Sequence, residues 1–226
     1  NVAELRVSTI DKHVREDESP VRLCNYVDVY KNDRIRPGMS FMFATARAED
    51  ISRFRLEDGD VLITKDSEVW TDIGVPALVD GRADDLVSGY HLALLRPRAR
   101  TCVGAFLFRA LQSLPVAYQF HIEATGVTRY GLSHDAIKSV WLPAPPLDEQ
   151  AAIVRYLDYM DGRIRRYIRA KQRLIKLLEE ERNAVTHRAV TGELDVRTGQ
   201  PYPAYKASGV EWLGDVPEEW GVRRLK

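Results

Sequence analysis

A long amphipathic pattern begins where a cluster of prolines ends. From Ile153 onward, apolar residues recur at alternating spacings of four and three, interrupted by two charged positions. This heptad spacing predicts a helix that packs along a seam against other helices. Pro145 and Pro146 suit the first turn of such a helix, and the acidic residues after them stabilise its positive end. We therefore predict a helix over 147–191, with Gly192 as its C-terminal stop.

The predicted helix carries an apolar seam and a basic surface. The seam residues that we expect to pair with a partner helix are Ile153, Leu157, Met160, Ile164, Ile168, Leu174 and Leu178. The segment 163–176 contains seven basic residues and no acidic one. Such a surface can bind DNA phosphates or a protein partner, or it can be a solvated helix face, and the sequence leaves these alternatives open.

Residues 1–146 show a different pattern, with short apolar runs bounded by Gly, Pro and Asp. The candidate strands are 21–30, 60–65, 75–79, 89–97 and 139–145. Candidate helices are 102–114, with apolar residues three and four apart, and the segment after a capping serine, Ser133. We predict a mixed α+β fold, with a strand-rich globular domain over 1–146. Residues 192–226 are expected to form a linker and the start of a second folded unit.

Composition narrows the class of protein only slightly. Basic and acidic residues balance at 33 each, which neither supports nor excludes nucleic-acid binding. No run of 18 apolar residues is present, and the N-terminal residues do not resemble a secretory signal. We therefore expect a cytoplasmic protein without a membrane segment. Cys24 and Cys102 lie among apolar residues and are expected to be reduced and buried.

The motifs of common enzyme classes are absent from the sequence. It contains neither a phosphate-binding GxxxxGK[ST] loop nor a GxGxxG fingerprint, and its five histidines are scattered. A metal-dependent nuclease needs a carboxylate two residues before a lysine, but Ile63 stands there before Lys65. We therefore predict no catalytic residue and no metal site in this chain.

Several blocks of the sequence resemble one protein family. The stretch "LPAPPLDEQAAIVRYLD" before the basic helix, and "SGVEWLGDVPEEW" near the end, resemble the conserved region of type I restriction–modification specificity subunits. The blocks "GDVLITKDSE", "GYHLALLRP" and "ATGVTRYGLS" resemble parts of the recognition domain in that family. The resemblance implies a DNA-binding subunit that reads a bipartite target. Its two recognition domains are each followed by a long helix, and the two helices lie antiparallel and set the gap between two half-sites.

The resemblance also implies partners and a division of chemistry. Methyl transfer and cleavage belong to other subunits of the family, so S-adenosylmethionine, ATP and magnesium are expected there and no cofactor is expected here. The expected partners are double-stranded DNA, the methyltransferase and restriction subunits, and a second copy or second half that pairs with the long helix. This chain has one recognition domain and one helix, so we expect either an excised fragment or a natural half-length protein that works as a dimer.

Three loops supply the candidate DNA contacts. These candidates are Lys31, Arg34, Lys65, Ser67, Thr128, Arg129 and Tyr130. We expect the loops 64–68 and 125–131 to converge on one face, with Arg129 bonding a base edge and Lys65 bonding a phosphate. The alternative for each basic residue is a solvated side chain, and for tyrosine it is packing in the core.

A second class of function remains open at this point. A coiled-coil interaction adaptor with no role in nucleic-acid binding would also contain a long heptad helix. Salt-dependent binding to duplex DNA discriminates between the two, because phosphate contacts release counterions.

Overall fold

The computed structural model describes residues 1–225 and divides the chain into two compact units, 1–158 and the residues from 159 onward. The strands of the first unit are β1 (Ala3–Val7), β2 (Ser19–Cys24), β3 (Arg34–Ile35), β4 (Met42–Ala46), β5 (Val61–Thr64), β6 (Asp66–Ser67), β7 (Pro76–Val79), β8 (Leu86–Ser88), β9 (Leu92–Pro97) and β10 (Tyr130–Gly131). Its shorter helices are α1 (Tyr26–Lys31), α2 (Ala48–Phe54), α3 (Gly104–Gln112), α4 (Leu114–Glu123) and α5 (His134–Ser139). The predicted mixed α+β fold is confirmed.

The first unit contains two sheets and a short two-stranded ribbon. The larger sheet has the strand order β1-β9-β5-β7-β3, and all of its pairs are antiparallel except β7 with β3. The smaller sheet has the order β4-β2-β8, in which β2 is antiparallel to β4 and parallel to β8. Strands β6 and β10 pair with each other in a separate two-stranded ribbon.

The hydrophobic core lies on both faces of the larger sheet. Alternate residues of a strand face opposite sides, so Val61 and Ile63 of β5 join the cluster that contains α3, α4 and α5. Leu62 between them joins the cluster on the other face, which includes residues of α1 and β8. All four residues of β5 are buried, and the first three of them, 61–63, are apolar.

A buried ion pair stabilises one end of this sheet. Asp60 is 1% exposed, and Arg96 of β9 donates to its two carboxylate oxygens at 2.9 and 2.8 Å. The hydrogen bond to Asp60 raises the pKa of Arg96. Because the pair is two-pronged and desolvated, loss of Arg96 would leave an uncompensated buried charge on Asp60. Arg96 has a second partner in Glu57, at 3.1 Å.

Of the predicted strands, 21–30 and 139–145 are wrong over part or all of their length. The first ends at Cys24 because Asn25 caps α1: its side chain accepts the Val27 N–H at 3.1 Å, and Asp28 accepts the Asn25 N–H at 2.9 Å. The β-branched residues that indicated a continuing strand therefore lie in a short helix. The capping box is a local signal that outweighs them.

The segment 139–145 forms no strand because its backbone finds a side-chain partner. The Trp141 N–H donates to Gln119 Oε1 at 2.9 Å, and Gln119 Nε2 donates to the Trp141 carbonyl at 3.0 Å. The prolines that follow have no N–H to offer a neighbouring strand. The strands predicted within 60–65, 75–79 and 89–97 are confirmed in shorter form as β5, β7 and β9.

The helix predictions are confirmed where periodicity or a cap indicated them. Helix α3 lies within 102–114, and α5 begins after Ser133, whose side chain accepts the Ala136 N–H. Helix α4 was not predicted. Its apolar residues Leu114 and Ile122 are exposed, so their spacing does not mark a buried face.

The predicted long helix is confirmed as the single helix α6, Leu147–Thr191. It continues through Gly162 without interruption. Gly192 ends it with a φ of +85°, and a Cβ at this position would overlap the ring of Pro217. Gly192 is therefore required both for its left-handed backbone conformation and for the close approach of another segment.

Beyond α6, the second unit contains a hairpin of β11 (Tyr205–Ala207) and β12 (Asp215–Pro217). Trp220 follows the hairpin and packs its ring edge against Tyr202, with ring centroids 5.7 Å apart. Residues 192–225 thus contain folded structure. Whether they begin a second recognition unit stays a prediction, and Lys226 lies outside the described residues.

Both cysteines are free and buried, as expected. Burial raises the pKa of the Cys24 and Cys102 thiols, which keeps them protonated and unreactive. Among residues 1–225, none of the helices combines the length and the apolar character that crossing a bilayer requires.

Candidate nucleic-acid interface

The loops 64–68 and 125–131 meet in the ribbon of β6 and β10. The backbone of Lys65, at the start of this ribbon, forms hydrogen bonds with two other segments. Its N–H donates to the His91 carbonyl at 3.1 Å, and its carbonyl accepts the Leu132 N–H at 2.9 Å. The predicted convergence of the two loops is confirmed, whereas contact of either loop with DNA stays a prediction.

The tip of the loop 125–129 is open to solvent. Val127 is 92% exposed, and Thr128 and Arg129 are exposed beside it. Gly126 has a φ of +144°, and a Cβ there would overlap the carbonyl oxygen of Arg129, so the turn requires glycine. Within residues 1–225 the Arg129 side chain has no hydrogen bond or ion pair, so its guanidinium group is available to a ligand.

Lys65 at the base of the ribbon is paired. Its Nζ lies 2.7 Å from Asp66 Oδ2, and His91 Nδ1 lies 2.9 Å from the same oxygen. Burial raises the pKa of the Asp66 carboxyl, but the hydrogen bonds from Lys65 and His91 outweigh it and hold the pKa below its ordinary value. The structure therefore corrects one premise of the sequence prediction, because Lys65 is not an unpaired, flexible charge. Its contact with a phosphate stays a prediction.

Ser67 and Tyr130 contribute to the interior of the ribbon. Ser67 is 5% exposed, and its Oγ lies 3.3 Å from the Oη of Tyr26. Tyr130 is half-buried and packs against the hydrophobic cluster that contains α3. These contacts give both residues a structural role, and they leave Thr128 and Arg129 as the exposed polar candidates on this loop.

The basic residues predicted near α1 are separated by the structure. Lys31 is exposed in the last turn of α1. Arg34 lies 3.7 Å from Asp80 and 3.8 Å from Asp158, so its charge is shared between two carboxylates of the same unit. A direct DNA contact by either residue stays a prediction, and Lys31 is the more accessible of the two.

Aromatic residues that the sequence reasoning did not select lie close to the ribbon. Tyr90 is exposed and its ring centroid lies 3.7 Å from that of His91, which bonds to Asp66. Tyr26, which contacts Ser67, stacks on the exposed Tyr30. In the sequence, Tyr90 and His91 stand directly before an apolar strand, and this was the only local sign of their position. Their closeness to the ribbon is visible only in the tertiary structure.

The residues predicted for helix pairing fall into two groups. Four of them are exposed along α6: Ile164, Ile168, Leu174 and Leu178. Leu157 and Met160 are half-buried, and Ile153 packs against the core of the first unit, so Ile153 is already used within that unit. The basic segment 163–176 is exposed throughout.

The described part of the chain contains no group of three or more His, Cys, Asp or Glu side chains that could hold a metal ion. The candidate site consists of exposed polar side chains on the loop 125–129 and aromatic side chains close to the ribbon, without a metal cluster in residues 1–225. Such a surface can bind a ligand through hydrogen bonds, charge and stacking.

The first unit is thus a strand-rich domain with exposed polar loops, and one long helix follows it in the chain. The family model of the type I restriction modification DNA specificity domain matches residues 29–176, and the chain belongs to this family.

One protein with a similar sequence and two solved structures with a similar fold agree with this family. A putative type I restriction enzyme MjaX specificity subunit from Methanocaldococcus jannaschii is 27% identical over 182 residues, covering 79% of this chain and 39% of that protein. A solved structure of a type I restriction–modification system aligns with a TM-score of 0.62 and 20% identity, covering 83% of this chain and 43% of that chain. The HsdS subunit from Thermoanaerobacter tengcongensis aligns with a TM-score of 0.51 and 18% identity, over 75% of this chain and 37% of that one. The chain thus spans about two fifths of the length of these relatives.

Proposed function

We propose that this chain reads one half of a bipartite DNA target as part of a type I restriction–modification complex. In this proposal the ribbon of β6 and β10 enters a groove of the DNA, and α6 sets the distance to the second half-site. Methyltransferase and restriction subunits bind alongside and perform methyl transfer and cleavage in the cytoplasm. S-adenosylmethionine, ATP and magnesium then bind to those subunits, and this chain is not itself an enzyme.

One observation carries the proposal for DNA reading. Two loops that are distant in sequence form a single ribbon, and the loop 125–129 presents an arginine without a partner in the described residues. A planar guanidinium group can form two hydrogen bonds with the edge of a guanine. Thr128 and Lys31 are exposed and supply further hydrogen-bond donors for bases or phosphates.

The long helix supports the proposal for spacing. Of the exposed apolar residues along α6, Ile164, Leu174 and Leu178 follow the heptad pattern, and Ile168 widens the stripe beside them. A continuous exposed apolar stripe on a helix is stable in water when a partner covers it. We propose that this partner is the equivalent helix of a second copy or second half of the subunit.

The test uses the full chain together with its methyltransferase subunits. Selection from duplexes with random bases should enrich two short half-sites separated by a fixed gap. Binding to the enriched duplex should weaken with rising salt, because phosphate contacts release counterions. Recovery of no sequence preference, or of binding without salt dependence, would contradict the proposal and favour the interaction-adaptor alternative. That alternative has no specific observation in its favour once the family is known.

A further inference from the structure

Gln150, in the first turn of α6, is a completely buried polar residue. Its exposure is 0%, although its neighbours in that turn are exposed. The Val103 N–H donates to Gln150 Oε1 at 2.8 Å. Gln150 Nε2 donates to the carbonyls of Thr101 at 3.0 Å and Pro145 at 2.8 Å. Both donor hydrogens and the acceptor oxygen of the amide are therefore used.

These three hydrogen bonds join separate segments of the first unit. Val103 is the N-cap residue of α3, Thr101 lies in the turn before it, and Pro145 belongs to the linker that leads into α6. A buried polar group that loses its hydrogen-bond partner destabilises the arrangement in which it is buried. The amide therefore stabilises one arrangement of α6, α3 and the linker over alternatives that break its bonds.

Two further contacts fix the same stretch of α6. Ile153 and Val154 pack against the hydrophobic cluster that contains α3. Asp158 accepts a hydrogen bond from Arg109 of α3 at 2.7 Å and lies 3.8 Å from Arg34 of β3. Positions 153, 154 and 158 lie three, four and eight residues after position 150, so all four lie on one side of the helix. We call the segment 147–158 the helix root.

We propose that Gln150 is a positioning residue, which with Asp158 fixes the direction of α6 relative to the recognition domain and so the gap between the two half-sites. This inference rests on the proposed function. The helix is one uninterrupted element, so a pivot at its root is carried along its length. From residue 159 to 191 a helix extends about 50 Å, and a pivot of about 10° moves its far end by about 9 Å. That displacement exceeds two steps of about 3.4 Å between base pairs.

Gln150→Glu is the most informative substitution, because it preserves the size of the side chain. A glutamate side chain has one donor when protonated and none when ionised, so at least one of the carbonyls of Thr101 and Pro145 loses its partner. The matched control is Glu149→Gln, the reverse exchange at the exposed neighbouring position in the same turn. Both variants retain the apolar contacts of Ile153.

The first measurement needs no DNA. Spin labels are attached to cysteines introduced at Ser52 in α2 and Gln172 in α6, both of which are exposed. The buried Cys24 and Cys102 are protected from the reagent. The full chain is diluted with unlabelled chain so that only distances within one molecule are recorded. Gln150→Glu should broaden or shift the distance distribution, whereas Glu149→Gln should leave it unchanged.

The second measurement uses the full chain with its methyltransferase subunits and duplexes in which the gap length and half-site bases vary. Gln150→Glu should lose the preference for one gap over gaps a single base pair longer or shorter, while the preferred bases within the half-site stay the same. A residue with only a structural role would reduce binding to all gaps equally. If Gln150→Glu does not fold, Asp158→Asn is judged by the same two measurements.

An unchanged distance distribution, or an unchanged gap preference in a folded variant, would overturn the inference. Failure of the proposed function would be distinct, because the wild-type chain itself would then show no half-site preference. In that case the spin-label distances still decide whether Gln150 fixes the helix root.

Discussion

Ser67 lies directly opposite Tyr130 in the ribbon of β6 and β10. The ribbon begins two residues after the last residue of β5, a strand whose side chains are all buried. The loop 125–129 is therefore held by a rigid part of the fold, although the loop itself is exposed. Binding residues on a rigid scaffold lose little entropy on contact with a ligand, which is the physical basis for the predictions on Arg129 and Gly126 below.

Arg129→Ala should weaken binding to the preferred duplex by about 1–3 kcal/mol and relax the preference at one base pair. The reason is the loss of a two-pronged hydrogen bond to a base edge. A competition assay with duplexes randomised at each position measures both effects. The control is Arg100→Ala, which removes another exposed arginine outside the ribbon and should leave base preference unchanged. If Arg129→Ala retains full preference, Arg129 does not read a base.

Lys65→Ala separates two roles for this residue. A phosphate contact predicts that the variant lowers the salt slope by about one. The ion pair with Asp66 predicts instead a lower melting temperature and an unchanged slope, because the charge already has a protein partner. We expect the second result. Binding measured over a series of salt concentrations, together with thermal unfolding, discriminates between them, and a reduced slope with unchanged stability would show direct phosphate binding.

Gly126→Ala should reduce DNA binding while every polar side chain of the loop remains. The new Cβ would overlap the carbonyl oxygen of Arg129 and would occupy a backbone conformation that alanine rarely adopts. The loop must therefore change shape, and Arg129 moves with it. Gly131→Ala is the matched control, because the added Cβ meets only Asp66 Oδ1 at 3.4 Å. Equal binding by the two variants would show that the loop shape is unimportant.

The stability of the chain should depend on pH through Asp66. Its pKa is lower in the folded state than the ordinary value of about 3.9, so the native state binds fewer protons than the unfolded chain between the two values. The stabilisation is present above the ordinary pKa and is lost as the pH falls through the folded-state pKa. The difference in melting temperature between wild type and Asp66→Asn should therefore shrink from pH 6 to about pH 3. A difference that stays constant over this range would contradict the assignment.

Asp60→Asn should lower the free energy of unfolding by about 1–3 kcal/mol, because Arg96 loses its two-pronged buried partner and keeps only the more exposed Glu57. Denaturant unfolding followed by circular dichroism measures this change. Asp84→Asn is the control, since Asp84 pairs with Arg55 and Arg82 at the exposed surface, and its loss should cost less than about 1 kcal/mol. Similar effects of the two substitutions would mean that burial of Asp60 has no energetic consequence.

Predictions from sequence succeeded where the signal was local and repeated. The heptad spacing indicated α6 because a helical face recurs within a few residues and needs no knowledge of the tertiary partner. The strand predicted over 21–30 failed beyond Cys24 because the capping box of Asn25 starts a helix that includes the β-branched residues Val27 and Val29. Helix α4 was missed because Leu114 and Ile122 are exposed, so its pattern does not reveal which face is buried.

The candidate site was predictable only in part. Turn glycines and strand ends indicated that 64–68 and 125–131 would meet, because loops that flank strands of one domain can be held at a common edge. The state of Lys65 was not predictable, since it depends on Asp66 and on His91, which lies in the turn before β9. Arg34 likewise finds Asp158 only when α6 packs against the first unit's core.

The helix root has a consequence for exchanging recognition domains between subunits. The proline cluster at 145–146 is a natural point at which to join two genes, but the structure places the boundary of the first compact unit after Asp158. A chimera joined at 146 would separate Gln150 and Asp158 from the carbonyls and arginines that they bind. A junction after 158 transfers the first unit together with its helix root. Under the proposed function, recombination at this point would give the subunit a new half-site specificity while the contacts of Gln150 and Asp158 are kept.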